Sequence, residues 1–128
     1  MPKKILLIEN DDEMRELMRT TFEQNGYEVA TASDGVSGYD MALFMRPDVI
    51  VKHIRLPGTD GIHLVRRVRD TSSLANTPIL VTTPFGTGNA TFSLQLGANA
   101  FEPMPVDPRS LLITVRRLLR NQKSKKAA

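Results

Sequence analysis

The residues of this chain that could do chemistry follow short apolar runs that have the character of buried strands. They are Glu9, Asn10, Asp11, His53, Thr83 and Met104. Carboxylate and imidazole side chains can ligate a metal ion of the Zn²⁺ type or hydrogen-bond to one another. The hydroxyl and thioether groups offer only hydrogen bonding and packing. The chemistry that this set could support depends on whether the fold brings the residues together.

Five short apolar segments alternate with helical patterns along the whole chain. The predicted strands are residues 4–9, 28–31, 48–53, 78–83 and 100–103. Strict alternation of short apolar strands with helices predicts a parallel sheet covered on both faces. Such sheets place ligand sites outside the carboxyl ends of their strands. The candidate residues follow these ends, so we expect them to converge on one pocket.

The helices carry recognisable start and stop signals. Asp11 or Asp12 can cap the first helix, although either carboxylate could instead face the pocket, and we expect capping for at least one. The second helix begins near residue 33 or 34, and the third is marked by apolar residues at 62, 65 and 68. A weak fourth helix is predicted over residues 90–96. Asp107 followed by Pro108 opens a fifth helix with a clear apolar face.

Composition indicates one globular domain over residues 1–121, followed by a basic, flexible tail over residues 122–128. The chain has 128 residues, 41% of them hydrophobic, and no cysteine. Its first apolar run is too short for a signal peptide or a membrane span, so we expect a cytoplasmic protein. The net charge of +3 is concentrated late in the chain. We interpret these basic residues as a solvated helix face rather than as a nucleic-acid site.

Four segments resemble the receiver domain of bacterial response regulators. They are "KILLIENDDEMRELM", "PDVIVKHIRLPGTDG", "TPILVTT" and "GANAFEPMPVDP". The resemblance runs from Lys4 to about Arg120. It implies a CheY-like, three-layer αβα fold of the flavodoxin-like (βα)5 type, with a five-stranded parallel sheet in the order 2-1-3-4-5. It also implies two-component signal transduction, in which an aspartate accepts a phosphoryl group with the help of Mg²⁺.

The same resemblance shows where the chain departs from the family's chemistry. His53 stands at the phosphoacceptor aspartate, Asn10 at an aspartate that binds Mg²⁺, and Met104 at a lysine. Thr83 matches the family's hydroxyl position, and Phe101 matches its aromatic switch position. A transition state for phosphoryl transfer would therefore lose nucleophile, metal and counter-charge together.

We therefore interpret the chain as a degenerate receiver, or pseudo-receiver, that is not an enzyme and has lost Mg²⁺ binding. We expect His53 to hydrogen-bond Glu9 or Asp11. The resemblance implies a protein partner on the fourth helix, fifth strand and fifth helix, and a homodimer is left open. Alternative hypotheses are phosphorylation or zinc binding at His53, and a basic nucleic-acid module. The sequence offers no account of Lys52 in a buried strand, and it leaves open whether the chain is part of a longer regulator.

Overall fold

A computed structural model describes residues 2–54, 61–83, 94 and 97–127, with the backbone alone for residues 61, 62 and 123–127. Its strands are β1 (Lys4–Ile8), β2 (Glu28–Ala32), β3 (Val49–His53), β4 (Ile79–Thr83) and β5 (Ala100–Pro103). All four pairings between neighbouring strands are parallel, in the order β2-β1-β3-β4-β5. This arrangement confirms the predicted flavodoxin-like fold and its strand order.

Helices lie on both faces of the sheet. They are α1 (Asp12–Gln24), α2 (Gly35–Met45), α3 (Gly61–Arg69) and a C-terminal helix (Pro108–Ala127), with a 3₁₀ turn at Ser72–Leu74. Asp11 and Asp34 cap α1 and α2 through their side chains, as their residue types predict. Except for Leu94, the predicted fourth helix lies outside the described residues.

Two apolar cores lie between the sheet and the helices that cover it, one core on each face. One core joins residues of β1, β3 and β4 to α2 and α3, and we call that side of the sheet the α2–α3 face. The other joins the same strands and β5 to α1 and the C-terminal helix, and we call it the α1 face. Consecutive strand residues alternate between the faces; for example, Ile50 belongs to the first core and Val51 to the second.

The C-terminal helix continues to Ala127, so the backbone of residues 122–127 is helical within the segment predicted as a flexible tail over residues 122–128. Glutamine, lysine and alanine have high helix propensity, and the sequence has neither glycine nor proline after Pro108 to stop the helix. Among the described helices, none combines the length and the apolar character that crossing a bilayer requires.

Candidate functional site

The carboxyl ends of four adjacent strands form one edge of the sheet. Glu9 follows β1, His53 ends β3, Thr83 ends β4, and Met104 follows β5. These four strands are consecutive in the sheet. Because neighbouring strands are about 4.8 Å apart, the predicted site residues come from one row of strand ends.

Strand alternation divides the side chains of this row between the two faces. His53 pairs in register with Thr82, and Thr82 pairs with Glu102, which places all three on the α1 face. Lys52 and Thr83 are each one position away and fall on the α2–α3 face. Thr82, which the sequence did not single out, is therefore the direct neighbour of His53 across the strands.

Glu9 is a buried carboxylate with one satisfied oxygen. Its side chain is 1% exposed, and Oε2 accepts a hydrogen bond of 3.1 Å from the backbone N–H of Asp11. Oε1 has no hydrogen-bond partner among the described residues. The Arg15 guanidinium donates to the backbone carbonyl of Glu9 at 2.8 Å. Since a buried unpaired acceptor costs free energy, Oε1 is disposed to accept a bond from any donor that reaches it.

The acidic residues after Glu9 are used by helix α1. Asp11 Oδ1 accepts from the backbone N–H of Met14 at 2.8 Å, so the capping prediction is confirmed for this residue. Asp12 forms an ion pair with Arg15 at 2.5 Å. Asn10, between Glu9 and the cap, is exposed. The hydrogen bonds described for the Glu9 and Asp11 carboxylates are with backbone amides, so the bond from His53 to one of them stays a prediction.

His53 is half-buried at the end of β3. Its neighbour Thr82 is fully buried, and the Thr82 hydroxyl has no hydrogen-bond partner among the described residues. The residues that the structure describes include no cluster of three or more histidine, aspartate or glutamate side chains that could hold a metal ion. Glu9, Asp11 and His53 therefore do not form the zinc-type cluster of the alternative hypothesis.

Met104 and Phe101 contribute no charge to the β5 end of the row. Met104 is half-buried and packs against the core of the α1 face, and its N–H donates to the Thr83 carbonyl at 2.8 Å. Its thioether brings no positive charge to the pocket. Phe101, at the predicted switch position, is 43% exposed.

Lys52 is only 1% exposed and pairs in register with Ile8 and Val81. Its aliphatic stem therefore lies beside the apolar core of the α2–α3 face. A buried ammonium requires polar or acidic partners, because its desolvation is otherwise costly. Lys52 therefore places a lysine side chain in the buried part of β3, directly before His53.

Glu102 forms a second buried carboxylate, which the sequence did not reveal. It is 5% exposed on the α1 face. The Ser110 hydroxyl donates to both of its oxygens, and the Thr114 hydroxyl donates to Oε1. Ser110 and Thr114 lie one helical turn apart, so a single strand residue holds two turns of the C-terminal helix. We call this network the Glu102 clasp.

A family model described as the response regulator receiver domain matches residues 5–116. A curated relative, the response regulator MprA of Mycobacterium tuberculosis (strain H37Rv), is 36% identical over 129 residues, covering all of this chain and 55% of the relative. The chain thus spans about half the length of the curated relatives it matches.

Solved structures agree with the family model. The chemotaxis response regulator CheY4 of Vibrio cholerae superposes with a TM-score of 0.86 at 31% identity, over 92% of this chain and 99% of that one. A CheY-like receiver domain protein from Methanospirillum hungatei gives a TM-score of 0.90 at 25% identity, over 98% of this chain and 99% of that one.

Proposed function

Because this chain belongs to the response-regulator receiver family of two-component signal transduction, we propose that it is a receiver that accepts no phosphoryl group and acts by binding a protein. The observation that carries the proposal is His53 at the end of β3, where the family resemblance expects the acceptor aspartate. An imidazole cannot form an acyl phosphate, and it is a poor ligand for Mg²⁺.

The surroundings of His53 support the same conclusion. Asn10 offers a neutral oxygen where a hard cation favours a carboxylate. Met104 offers no positive charge toward a phosphoryl oxygen. Glu9 remains as a buried carboxylate, but one carboxylate with a neutral neighbour makes a weak site for a divalent cation. We propose that the domain binds no Mg²⁺ at cellular concentrations and has no enzymatic activity.

The surface we propose for the protein partner comprises β5 and the C-terminal helix. Phe101 is 43% exposed and Ile113 is 60% exposed, so this surface offers apolar contacts. Arg116, Arg117 and Arg120 are also exposed on the helix. Apolar residues with neighbouring arginines favour an acidic partner surface. The fourth helix, which the family resemblance adds to this surface, lies outside the described residues apart from Leu94.

Exposure to a small phosphodonor tests the proposal directly. After incubation with acetyl phosphate and Mg²⁺, intact-mass spectrometry should show the unmodified chain alone. Titration calorimetry with Mg²⁺ should show no saturable heat. A receiver domain with an intact aspartate, treated in parallel, serves as the positive control. A stable gain of one phosphoryl group on this chain would overturn the proposal.

A further inference from the structure

Helix α2 is apolar around most of its circumference. Tyr39 and Ala42 are buried against the sheet, as expected for a helix that covers one face. On its outer side, however, Val36 is 50% exposed, Leu43 is 41% exposed and Phe44 is 93% exposed. A surface helix of a monomer normally presents polar residues to water. An apolar outer side is typical of a helix that a second protein surface covers.

A groove runs beside α2 along the outer edge of β2, and we call it the β2 groove. Its lower part, beside the start of β2, has a volume of about 600 Å³. It is lined by Val29, Ala30, Met41, Phe44 and Met45, with Glu28 and Asp40 among its polar residues. Its upper part, of about 320 Å³, is lined by Arg15, Thr31, Ser33, Ser37 and Met41. Met41 borders both parts, so the groove follows the whole strand.

The outer edge of β2 presents backbone groups that can pair. Glu28 N–H donates to the Lys3 carbonyl, and Glu9 N–H donates to the Ala32 carbonyl. In a pair of parallel strands, only every second residue directs its backbone N–H and C=O groups toward a given neighbouring strand. Residues 28, 30 and 32 therefore face β1, while Val29 and Thr31 direct their N–H and C=O groups to the open edge.

This edge carries little of the protection that edge strands usually have. Natural sheets block such edges with lysine, proline or bulges. The sequence of β2 is EVATA, whose one charged residue is Glu28 at its start. The other edge strand, β5, ends in Pro103, which has no N–H to offer. The two edges of the sheet therefore differ, and β2 is the one open to pairing.

We propose that two copies of this chain associate through β2, which pairs antiparallel with β2 of the second copy across a twofold axis. Two five-stranded sheets would then form one continuous sheet. A twofold axis perpendicular to the sheet keeps both α2 helices on the same side. The two Phe44 side chains, with Met41 and Met45, would fill the space between these helices.

Charge complementarity favours a second copy over an unrelated peptide. The upper end of the β2 groove carries Arg15, whose guanidinium also pairs with the exposed Asp12 carboxylate of its own copy. The lower end carries Glu28 and Asp40 against a single Lys4, and is therefore net acidic. Antiparallel pairing brings the upper end of one copy to the lower end of the other. Arg15 of each copy then approaches the acidic end of the other copy, and the twofold axis makes the two contacts equivalent. Such self-complementarity is what an isologous interface requires. The association is independent of the chemistry at His53.

Sedimentation equilibrium over a micromolar to millimolar concentration series tests this proposal. The chain should show a monomer–dimer equilibrium. Phe44→Ser removes the exposed ring, and Thr31→Pro removes an N–H that β1 does not use; each should raise the dimer Kd about tenfold or more, equivalent to about 1.4 kcal/mol. Glu28→Lys should also weaken the dimer, because it places a cation opposite Arg15.

Ile113→Ser, a matched loss of an exposed apolar side chain on the C-terminal helix, should leave the Kd unchanged. Far-UV circular dichroism and thermal melting verify that each variant folds; Phe44 is exposed enough that its replacement leaves the core intact. Two results would overturn the proposal. One is a chain that stays monomeric throughout the series. The other is a dimer that Ile113→Ser weakens and Phe44→Ser does not.

Discussion

Under the proposed function, the side chain of His53 at the end of β3 decides which chemistry the pocket can perform. His53 keeps the position of an acceptor but offers a nitrogen heterocycle instead of a carboxylate. The surrounding residues differ in how far they have changed. Glu9 is still buried, with Oε1 unpaired among the described residues, whereas Asn10 and Met104 have lost the charges that the resemblance expects. Under the proposed function, the pocket keeps the backbone of a phosphorylation site without its electrostatics.

Rescue of phosphorylation should need all three lost groups. We expect His53→Asp alone to remain nearly inert, because its carboxylate would lack a charged metal partner and a lysine. The triple variant Asn10→Asp, His53→Asp, Met104→Lys should accept a phosphoryl group from acetyl phosphate. Its clustered carboxylates should lower the melting temperature without metal, and Mg²⁺ should raise it again. Mass spectrometry and thermal melting with and without Mg²⁺ measure both effects.

The single variant His53→Asp is the matched control for the triple variant. A folded triple variant that shows neither Mg²⁺ stabilisation nor phosphorylation would mean that this chain differs from an active receiver at more than these three residues. In that case restoring the three side chains is insufficient.

At the scale of elements, Arg69 connects three segments at the opposite end of the sheet from the pocket. Its guanidinium donates to the carbonyls of Gly97 and Thr77 at 2.8 Å and to the Asn99 amide oxygen at 2.7 Å. It also reaches the carbonyls of Leu74 and Ala75 at longer range. Burial lowers the pKa of Arg69 from its ordinary value. The residue therefore joins α3, the 3₁₀ turn and the segment before β5.

Replacing Arg69 should be costly, while replacing its neighbour Arg66 should not. Arg69→Leu leaves several partly buried carbonyl oxygens without their hydrogen-bond donor. We expect a loss of about 2–4 kcal/mol in the free energy of unfolding. Arg66, 63% exposed in an ion pair with Asp70, is the matched control, and Arg66→Leu should change stability by less than about 1 kcal/mol. Urea denaturation of both variants measures the difference, and equal losses would refute the connecting role of Arg69.

The helices and strands can be predicted from local sequence patterns, whereas the hydrogen bonds of Arg69 cannot. Asp11 and Asp34 mark the starts of α1 and α2 because capping is a local hydrogen bond. Arg69 belongs to a run of arginines in α3 and has the same local pattern as exposed Arg66. Its burial depends on Gly97, which is distant in sequence, and sequence periodicity carries no information on such a contact. Glu102 was missed for the same reason.

The C-terminal helix also extends beyond the residue at which the sequence pattern placed the start of the tail. Loss of the apolar pattern near residue 121 suggested that the helix stops there. The backbone instead continues to Ala127, because a helix ends where a stop signal or a better conformation intervenes and not where burial ceases. The convergence of the strand ends on one edge of the sheet was predicted correctly, because the carboxyl ends of parallel strands follow from topology alone.

At the scale of the whole molecule, the two proposed interaction surfaces lie at opposite edges of the sheet. β2 is one edge strand and β5 is the other. Five strands at about 4.8 Å spacing separate these edges by about 19 Å. A copy bound at β2 therefore leaves β5 and the C-terminal helix accessible, and a dimer would present two partner surfaces pointing away from each other.

Binding of the protein partner should depend on the arginines of the C-terminal helix and not on the pocket. Arg116→Glu and Arg120→Glu should each reduce partner recovery in affinity capture from the native cell, because both side chains are exposed on the proposed surface. His53→Ala should leave recovery largely intact. Arg66→Glu, an equal charge reversal on α3, is the control for a general charge effect. Loss of the partner in His53→Ala, with the arginine variants unaffected, would make the pocket the working surface instead.

The Glu102 clasp has a consequence for how the C-terminal helix can move. Methyl and methylene groups slide past one another over small distances at little cost, so a helix held by apolar packing alone could shift gradually. Carboxylate–hydroxyl bonds are short and directional, and Ser110 and Thr114 both bond to the same strand residue. A shift of the helix along its axis would break them together and would leave Glu102 buried without donors. The Glu102 clasp therefore fixes the position of the C-terminal helix along its axis relative to the sheet. The helix can move only after these hydrogen bonds break together, so its displacement is an all-or-none step and not a gradual shift.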